Sequence, residues 1–178
     1  MDKQLYHLTS GLLKMNRLLL FLLIAFPLTL KFYSPPSDDY PIINSLLTNI
    51  GGIFLLGWLY AIGHRANTKL VSMGMNLNVF KYFNWTVILI VATYILSVFT
   101  TTEVHSVIGR IHVNYVTPMY LPIIILFAFL TTMFIASKTL VSAELNKEAS
   151  IGEFWPTFLL MIIAVIGLWF IQPRVQKI

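Results

Sequence analysis

Residues 119–136 read MYLPIIILFAFLTTMFIA, an apolar stretch with no Asp, Glu, Lys, Arg or His. A helix needs about 20 such residues to cross the ~30 Å hydrocarbon core of a bilayer. Four further stretches lack ionisable residues in the same way, and together the five fill most of the chain: residues 18–30, 50–62, 83–99 and 154–171. Lipid is therefore the predicted surrounding of the chain.

The composition supports the same interpretation. Hydrophobic residues make up 57% of the 178 residues and charged residues only 11%, against roughly 25% charged residues in an ordinary soluble domain. The predicted fold class is an all-α membrane protein, a single domain that forms one bundle of about five transmembrane helices. The predicted spans cover approximately residues 12–33, 44–63, 82–101, 118–141 and 153–172 of the 178-residue domain.

The first span is the least regular of the five. Its uninterrupted apolar run, residues 18–30, is shorter than the usual minimum of about 17 residues. Pro27 lies within the run, where a proline removes a backbone hydrogen bond. If the helix extends toward the amino terminus, Lys14 and Arg17 must reach the headgroups. The alternative is an interfacial helix that lies flat on the membrane.

The basic residues predict how the spans are oriented, since Lys and Arg favour the cytoplasmic side of membrane proteins. With five spans and a cytoplasmic amino terminus, eight Lys and Arg residues lie inside, and four lie outside, namely Lys31, Arg110, Arg174 and Lys177. We therefore expect an integral protein of the cell membrane with its amino terminus in the cytoplasm and its carboxyl terminus outside. A four-span topology with both ends inside stays open, because Arg174 and Lys177 favour it.

The positive net charge of +5 does not indicate a nucleic-acid partner. Binding to nucleic acid requires Lys and Arg gathered on one surface, whereas here they flank the apolar stretches. The chain has no cysteine, which excludes disulfides, thiolate catalysis and cysteine-ligated metals. The sequence contains no phosphate-binding loop, zinc-protease motif or serine-hydrolase motif. We expect neither a cofactor nor catalysis.

One span carries a stripe of small and polar residues at offsets of three and four, which places them on one face of a helix. The stripe consists of Ser45, Thr48, Asn49 and Gly52, and Gly63 follows further along the same segment. Small side chains permit close approach of a second helix, and an asparagine can hydrogen-bond across the contact. We expect a helix-packing surface here, and a groove for a solute is the alternative use of the stripe.

A basic group closes the same span on the predicted cytoplasmic side, and it consists of His64, Arg65 and Lys69. Such residues can bind an anionic lipid headgroup or a phosphate, or they can serve only to orient the span. The sequence does not separate these two roles.

The four histidines lack the spacing of a helical metal site, because none of them lies three or four residues from another. His105 and His112 are seven residues apart, and within one strand an odd separation turns two side chains to opposite faces. A folded loop could still bring Glu103, His105 and His112 together, with Arg110 as a contact for an anion. These three are the candidate metal ligands, and a solvated loop without a metal is the expectation from sequence.

The start of the last span shows two helix signals that conflict. Ser150 and Glu153 have the spacing of a capping box. A helix that starts there puts Pro156 at the sixth helical position, where its missing N–H removes a bond. We therefore expect the helix to begin at Gly152 or Glu153, so that Pro156 falls in the first turn.

Aromatic residues occur at the expected membrane boundaries, where their amphipathic rings are favoured. The sequence assigns Trp58 to one such belt, and Trp169 and Phe170 to another. Directly after the second belt, Pro173 predicts a helix stop and Arg174 a charge that faces the headgroups.

The uncharged spans carry packing residues and no ionisable group that would mark an ion path. The sequence therefore predicts a non-enzymatic membrane protein that acts as a scaffold or accessory subunit through its helix faces. Its expected partners are membrane lipids, other membrane proteins or further copies of the chain, and not nucleic acid. The alternative is a small transporter or channel for a neutral or hydrophobic solute.

Overall fold

The computed structural model describes residues 11–33, 41–100, 103–107, 110–114 and 120–178. Its elements in chain order are the helices α1 (Arg17–Tyr33), α2 (Pro41–Ser72) and α3 (Phe83–Thr100), the strands β1 (Glu103–Val107) and β2 (Arg110–Asn114), and the helices α4 (Tyr120–Leu145), α5 (Ile151–Ile162) and α6 (Ala164–Lys177). A short 3-10 helix, Asn78–Tyr82, precedes α3, and residues 11–14 form a helical turn before α1. The body of the described fold is helical, as the sequence predicts.

Two strands form the exception to the predicted all-α fold. β1 and β2 pair antiparallel as a hairpin between α3 and α4, in a region that the sequence analysis treats as a polar loop. Strand pairing depends on contacts between two segments, and the pattern within either segment alone does not report it.

Among the described residues, one helix, α4, is long and apolar enough to cross a membrane, and α5 is apolar but shorter. α4 changes its surroundings along its length. Ile123, Leu126 and Phe127 in its first half are exposed, whereas most residues of its second half are buried. Since α2, α3 and α5 pack around it, α4 is the central helix of the fold over its carboxyl-terminal half.

Hydroxyl groups in the buried half of α4 bond within the helix. Thr132, Ser137 and Thr139 each donate to the carbonyl four residues earlier, at 2.6 to 2.8 Å. A buried hydroxyl costs free energy unless it is hydrogen-bonded, and these bonds remove that cost without a second helix. Thr132 also meets Thr86 of α3 at 3.0 Å, so one hydroxyl pair links α3 to α4.

α2 meets the start of α3 at Gly63. A Cβ added to Gly63 would lie 2.6 Å from Cζ of Phe83, and Phe83 is fully buried. Only a residue without a side chain fits this contact. Gly52, which the sequence analysis places in the packing stripe, has nothing within 4 Å of an added Cβ. A close helix approach is therefore present at Gly63, and the use of Gly52 in a packing stripe stays a prediction.

The fifth predicted span is two helices in the structure. The helix breaks at Ile163, whose φ of −87° and ψ of 61° lie outside the helical region. A continuous helix would hold Thr157 and Arg174 about 25 Å apart, yet their side chains are hydrogen-bonded at 2.9 Å. A Cβ at Gly167 would overlap the carbonyl oxygen of Leu160. A glycine is therefore required where α6 folds back against α5.

α5 and α6 are each too short to cross a bilayer. Their 12 and 14 residues rise about 18 and 21 Å, against the ~30 Å of a hydrocarbon core. Since Arg174 near the end of α6 contacts Glu144 near the end of α4, the chain returns to the end of the bundle from which α5 begins. Since no proline lies at the break, the apolar run 154–171 reads as one helix in the sequence.

α5 begins earlier than expected, at Ile151. The carboxylate of Glu153 accepts a hydrogen bond from the backbone N–H of Ser150 at 2.7 Å, which confirms that half of the predicted capping box. Pro156 then lies at the sixth helical position, where its missing N–H removes one bond. The helix nevertheless begins at Ile151, so the expected start at Gly152 or Glu153 is wrong.

Gly63→Ala is expected to destabilise the protein, because the new methyl group must displace the buried ring of Phe83. Overpacking of this kind costs about 1–3 kcal/mol, more than the roughly 1 kcal/mol that alanine gains over glycine in a helix. Gly52→Ala is the matched control and should be neutral or stabilising. Thermal unfolding of both variants in nanodiscs, followed by circular dichroism, measures the difference. Equal melting temperatures for the two variants would contradict the close contact.

Candidate functional site

A buried glutamine joins three parts of the chain. Gln172 of α6 accepts a hydrogen bond from Nε1 of Trp58 at 2.7 Å and donates through Nε2 to the carbonyl of Leu13 at 2.8 Å. Trp58 and Gln172 are both completely buried. The amide therefore pairs two groups that would otherwise be unsatisfied in the core. Trp58 lies in this core, and its predicted place in a membrane-boundary belt is wrong.

α6 continues through Pro173 to Lys177, contrary to the predicted helix stop. The contacts of the residues around the proline hold the helix in place. One turn beyond Gln172, Nε2 of Gln176 donates to the same carbonyl of Leu13 at 3.0 Å. The helical turn at residues 11–14 is therefore fixed against the last turns of α6.

The hydrogen bonds of Gln172 are one tether between separate parts of the chain, and those of Arg174 are a second. Its Nε and Nη2 donate to the two carboxylate oxygens of Glu144 at 2.8 and 2.5 Å, and its Nη1 donates to Oγ1 of Thr157 at 2.9 Å. Both charged side chains are half-buried. A planar guanidinium matches a carboxylate in this paired geometry. Arg174 thus joins α4, α5 and α6, where the sequence analysis expects a charge that faces the headgroups.

These two tethers form one site, which we name the polar seam and define by Trp58, Glu144, Thr157, Gln172 and Arg174. Its five side chains come from α2, α4, α5 and α6. Each of them has a hydrogen-bond partner within the seam. The arrangement can hold helices together, and its polar groups are already engaged with one another.

Two further ion pairs connect the end of α4 to the start of α5. Lys138 pairs with Glu148 and Lys147 pairs with Glu153, each at 2.6 Å. The hydrogen bond from Lys147, with further bonds from Ser150, lowers the pKa of Glu153 to about 2. Exposed pairs contribute little stability each, but together they position the short connection between the helices.

The predicted headgroup contact, His64, Arg65 and Lys69, lies inside α2, which runs on to Ser72. The ring of His64 stacks on Tyr60, with centroids 5.9 Å apart and planes within 7° of each other. Arg65 and Lys69 are one turn apart and form a basic pair on one helix face. The described carboxylates of α4 and α5 bind other cations. Headgroup binding at this basic pair stays a prediction.

The polar part of the predicted stripe, Ser45, Thr48 and Asn49, lies on α2. The side chains of these three residues fall outside the part of the structure that is described. The backbone places them on one helix, and their use as a packing or solute surface stays a prediction.

The candidate metal ligands Glu103, His105 and His112 lie on the hairpin. Its register places His105 directly opposite His112, and Glu103 opposite Asn114. Among the residues whose side chains are described, no three His, Cys, Asp or Glu cluster as a metal site. The backbone register nevertheless brings the positions of the three candidates together.

Sequence reasoning missed both tethers of the polar seam. Each joins residues far apart in the chain, 114 positions for Trp58 and Gln172 and 30 for Glu144 and Arg174. The available signal was a glutamine and an arginine directly after an apolar run. A span that ends among headgroups explains that signal equally well.

Comparison of the chain with protein-family models, with curated proteins and with solved structures gives no match.

Gln172→Leu is expected to destabilise the fold, because it leaves the buried Trp58 indole N–H without its partner, whereas the Leu13 carbonyl keeps the bond from Gln176. Each unpaired buried group costs about 1–3 kcal/mol. Gln176→Leu, at an exposed position, is the control and should cost less. Adding Trp58→Phe to Gln172→Leu removes the orphaned N–H and should recover part of the loss. Chemical unfolding in detergent micelles compares the variants, and equal stability of Gln172→Leu and Gln176→Leu would argue against the buried bridge.

Proposed function

We propose that this chain is a multi-pass integral membrane protein in which α1 to α4 cross the bilayer and α5 and α6 form a re-entrant pair. The outward faces of the helices support a lipid surrounding, since soluble proteins rarely expose large contiguous apolar patches. Exposed apolar side chains occur on several helices, for example Leu89, Ile95, Phe127 and Phe170. A bilayer covers such surfaces with matching apolar chains.

The contacts of α6 support a topology with both chain ends on the cytoplasmic side. Arg174 is paired with Glu144, and Gln172 with Leu13. The end of α6 therefore lies beside the end of α4 and beside the turn that precedes α1. These contacts support the four-span alternative in place of the expected outside carboxyl terminus.

The four-span topology also sharpens the asymmetry of basic residues. Lys31 and Arg110 alone then lie outside. The cytoplasmic side carries the other ten of the 12 Lys and Arg residues, which are Lys3, Lys14, Arg17, Arg65, Lys69, Lys81, Lys138, Lys147, Arg174 and Lys177. The excess of Lys and Arg on the cytoplasmic side is therefore larger than the eight against four of the five-span topology. An excess on that side is what orients membrane helices.

For this membrane protein we propose a non-enzymatic role as a scaffold or accessory subunit. The observation that carries the proposal is that the polar groups of the seam are paired inside the fold, while the outward helix faces are apolar. Side chains of the polar seam bind one another, whereas α3 and the first half of α4 present apolar faces outward. Such faces associate with lipid or with other helices by packing. This chemistry favours contact with a membrane partner.

The absence of cysteine permits a direct test of the topology by single-cysteine labelling. We expect Lys147→Cys and Lys177→Cys to react with a membrane-impermeant maleimide from the same side, and Ser106→Cys on the hairpin from the other. Intact cells and inverted vesicles provide the two sides. Labelling of Lys147→Cys and Lys177→Cys from opposite sides would contradict the re-entrant pair.

Mass spectrometry of the intact assembly after gentle nanodisc purification tests the scaffold role. We expect a stable complex with a foreign membrane subunit. The amount of bound subunit should fall severalfold when Leu126→Ala and Phe127→Ala shrink the outward face of α4, and should persist in Leu159→Ala on α5. A bare homo-oligomer that retains a small molecule, with solute flux that Asn49→Leu abolishes, would support transport instead.

A further inference from the structure

The hairpin places two histidines opposite each other. β1 and β2 are antiparallel, and their register pairs His105 with His112. Directly opposed residues in an antiparallel pair share one face of the ribbon, with Cβ atoms about 4.5–5.5 Å apart. Spacing within a single strand would put residues seven apart on different faces. Because the two histidines lie on two paired strands, they share a face.

Glu103 occupies a position on the same face. It lies two residues before His105 on β1, and a strand returns to the same face at every second residue. Three residues of metal-ligating type therefore hold neighbouring positions on one side of the ribbon. Two imidazoles and one carboxylate are an established ligand set for zinc, which then keeps a fourth position for water.

The ribbon gains stability from such a bridge. It consists of two strands of five residues each, and the described sheet contains no third strand. An isolated two-stranded hairpin is marginally stable in water. A metal ion bound to residues of both strands links them, so metal binding and the order of the hairpin are coupled.

Two charged residues on this face act in opposite directions. Arg110 lies opposite Val107 and two residues before His112. Its positive charge disfavours a bound cation, whereas the carboxylate of Glu103 favours one. The charge balance at this face therefore depends on both residues, and each can be changed without removing a histidine.

We propose that His105, His112 and Glu103 form a binding site for a divalent metal ion of the zinc type. The proposal rests on the backbone register and on residue type, since two histidines and one glutamate at neighbouring positions form a ligand set that zinc accepts together with water. The site is additional to the scaffold role and does not depend on which side of the membrane the hairpin occupies.

Zinc titration of the full chain in nanodiscs tests the proposal, with Zn²⁺ as the probe and a chromogenic chelator as the competitor. We expect one zinc per chain and a loss of affinity of at least about tenfold for His105→Ala and for His112→Ala. His64→Ala is the control and should bind normally. Glu103→Gln should weaken binding, and Arg110→Gln should strengthen it. Amide hydrogen exchange in β1 and β2 should slow when zinc is added.

Exchanging two adjacent residues of β2 tests whether zinc binding depends on the strand register or only on the number of histidines. The double variant Ile111→His with His112→Ile keeps the composition of β2 but moves the imidazole to the other face. It should bind zinc no better than His112→Ala. Retained affinity in this variant, zinc uptake that survives loss of both His105 and His112, or no zinc uptake by the original chain would overturn the proposal. An unchanged melting temperature of the helical body confirms that each variant is folded.

Discussion

The buried amide of Gln172 sets the arrangement of the carboxyl-terminal helices. An amide in an apolar core is tolerated only when its groups are hydrogen-bonded. Its partners are the indole of Trp58 on α2 and the carbonyl of Leu13 before α1. α6 must lie against both elements to satisfy all three groups. The break at Ile163, after which the chain turns back along α5, makes this position possible.

The position of Gln172 also determines where the neighbouring polar residues can bind. Gln176 follows four residues later on the same helix face and reaches the same Leu13 carbonyl. Arg174 is two residues from Gln172, about 200° around the helix, and so faces α4 and α5. There Glu144 and Thr157 accept its hydrogen bonds. Polar contacts on two sides hold α6 between its neighbours. A terminal span that ended among headgroups would lack such contacts.

Sequence rules that use only residues close together in the chain predicted the features that depend on such residues. The apolar runs 83–99 and 119–136 correspond to α3 and α4, and Glu153 caps α5 as its spacing from Ser150 predicts. Local rules failed for Trp58, whose ring could lie at a boundary or in the core with the same flanking sequence. In lipid, both the core and the surroundings are apolar, so hydrophobic periodicity does not indicate which face of a span points inward. The hairpin register was beyond reach for a related reason, since it depends on pairing between two segments.

The polar seam and the hairpin differ in how their polar residues are placed. The side chains of the seam come from four helices and bind one another. α3 then carries the chain about 26 Å away from Phe83 to the hairpin. A metal ion bound at the proposed hairpin site leaves the hydrogen bonds between these helices intact, which is the physical argument for placing the proposed ligand on the hairpin and not in the seam.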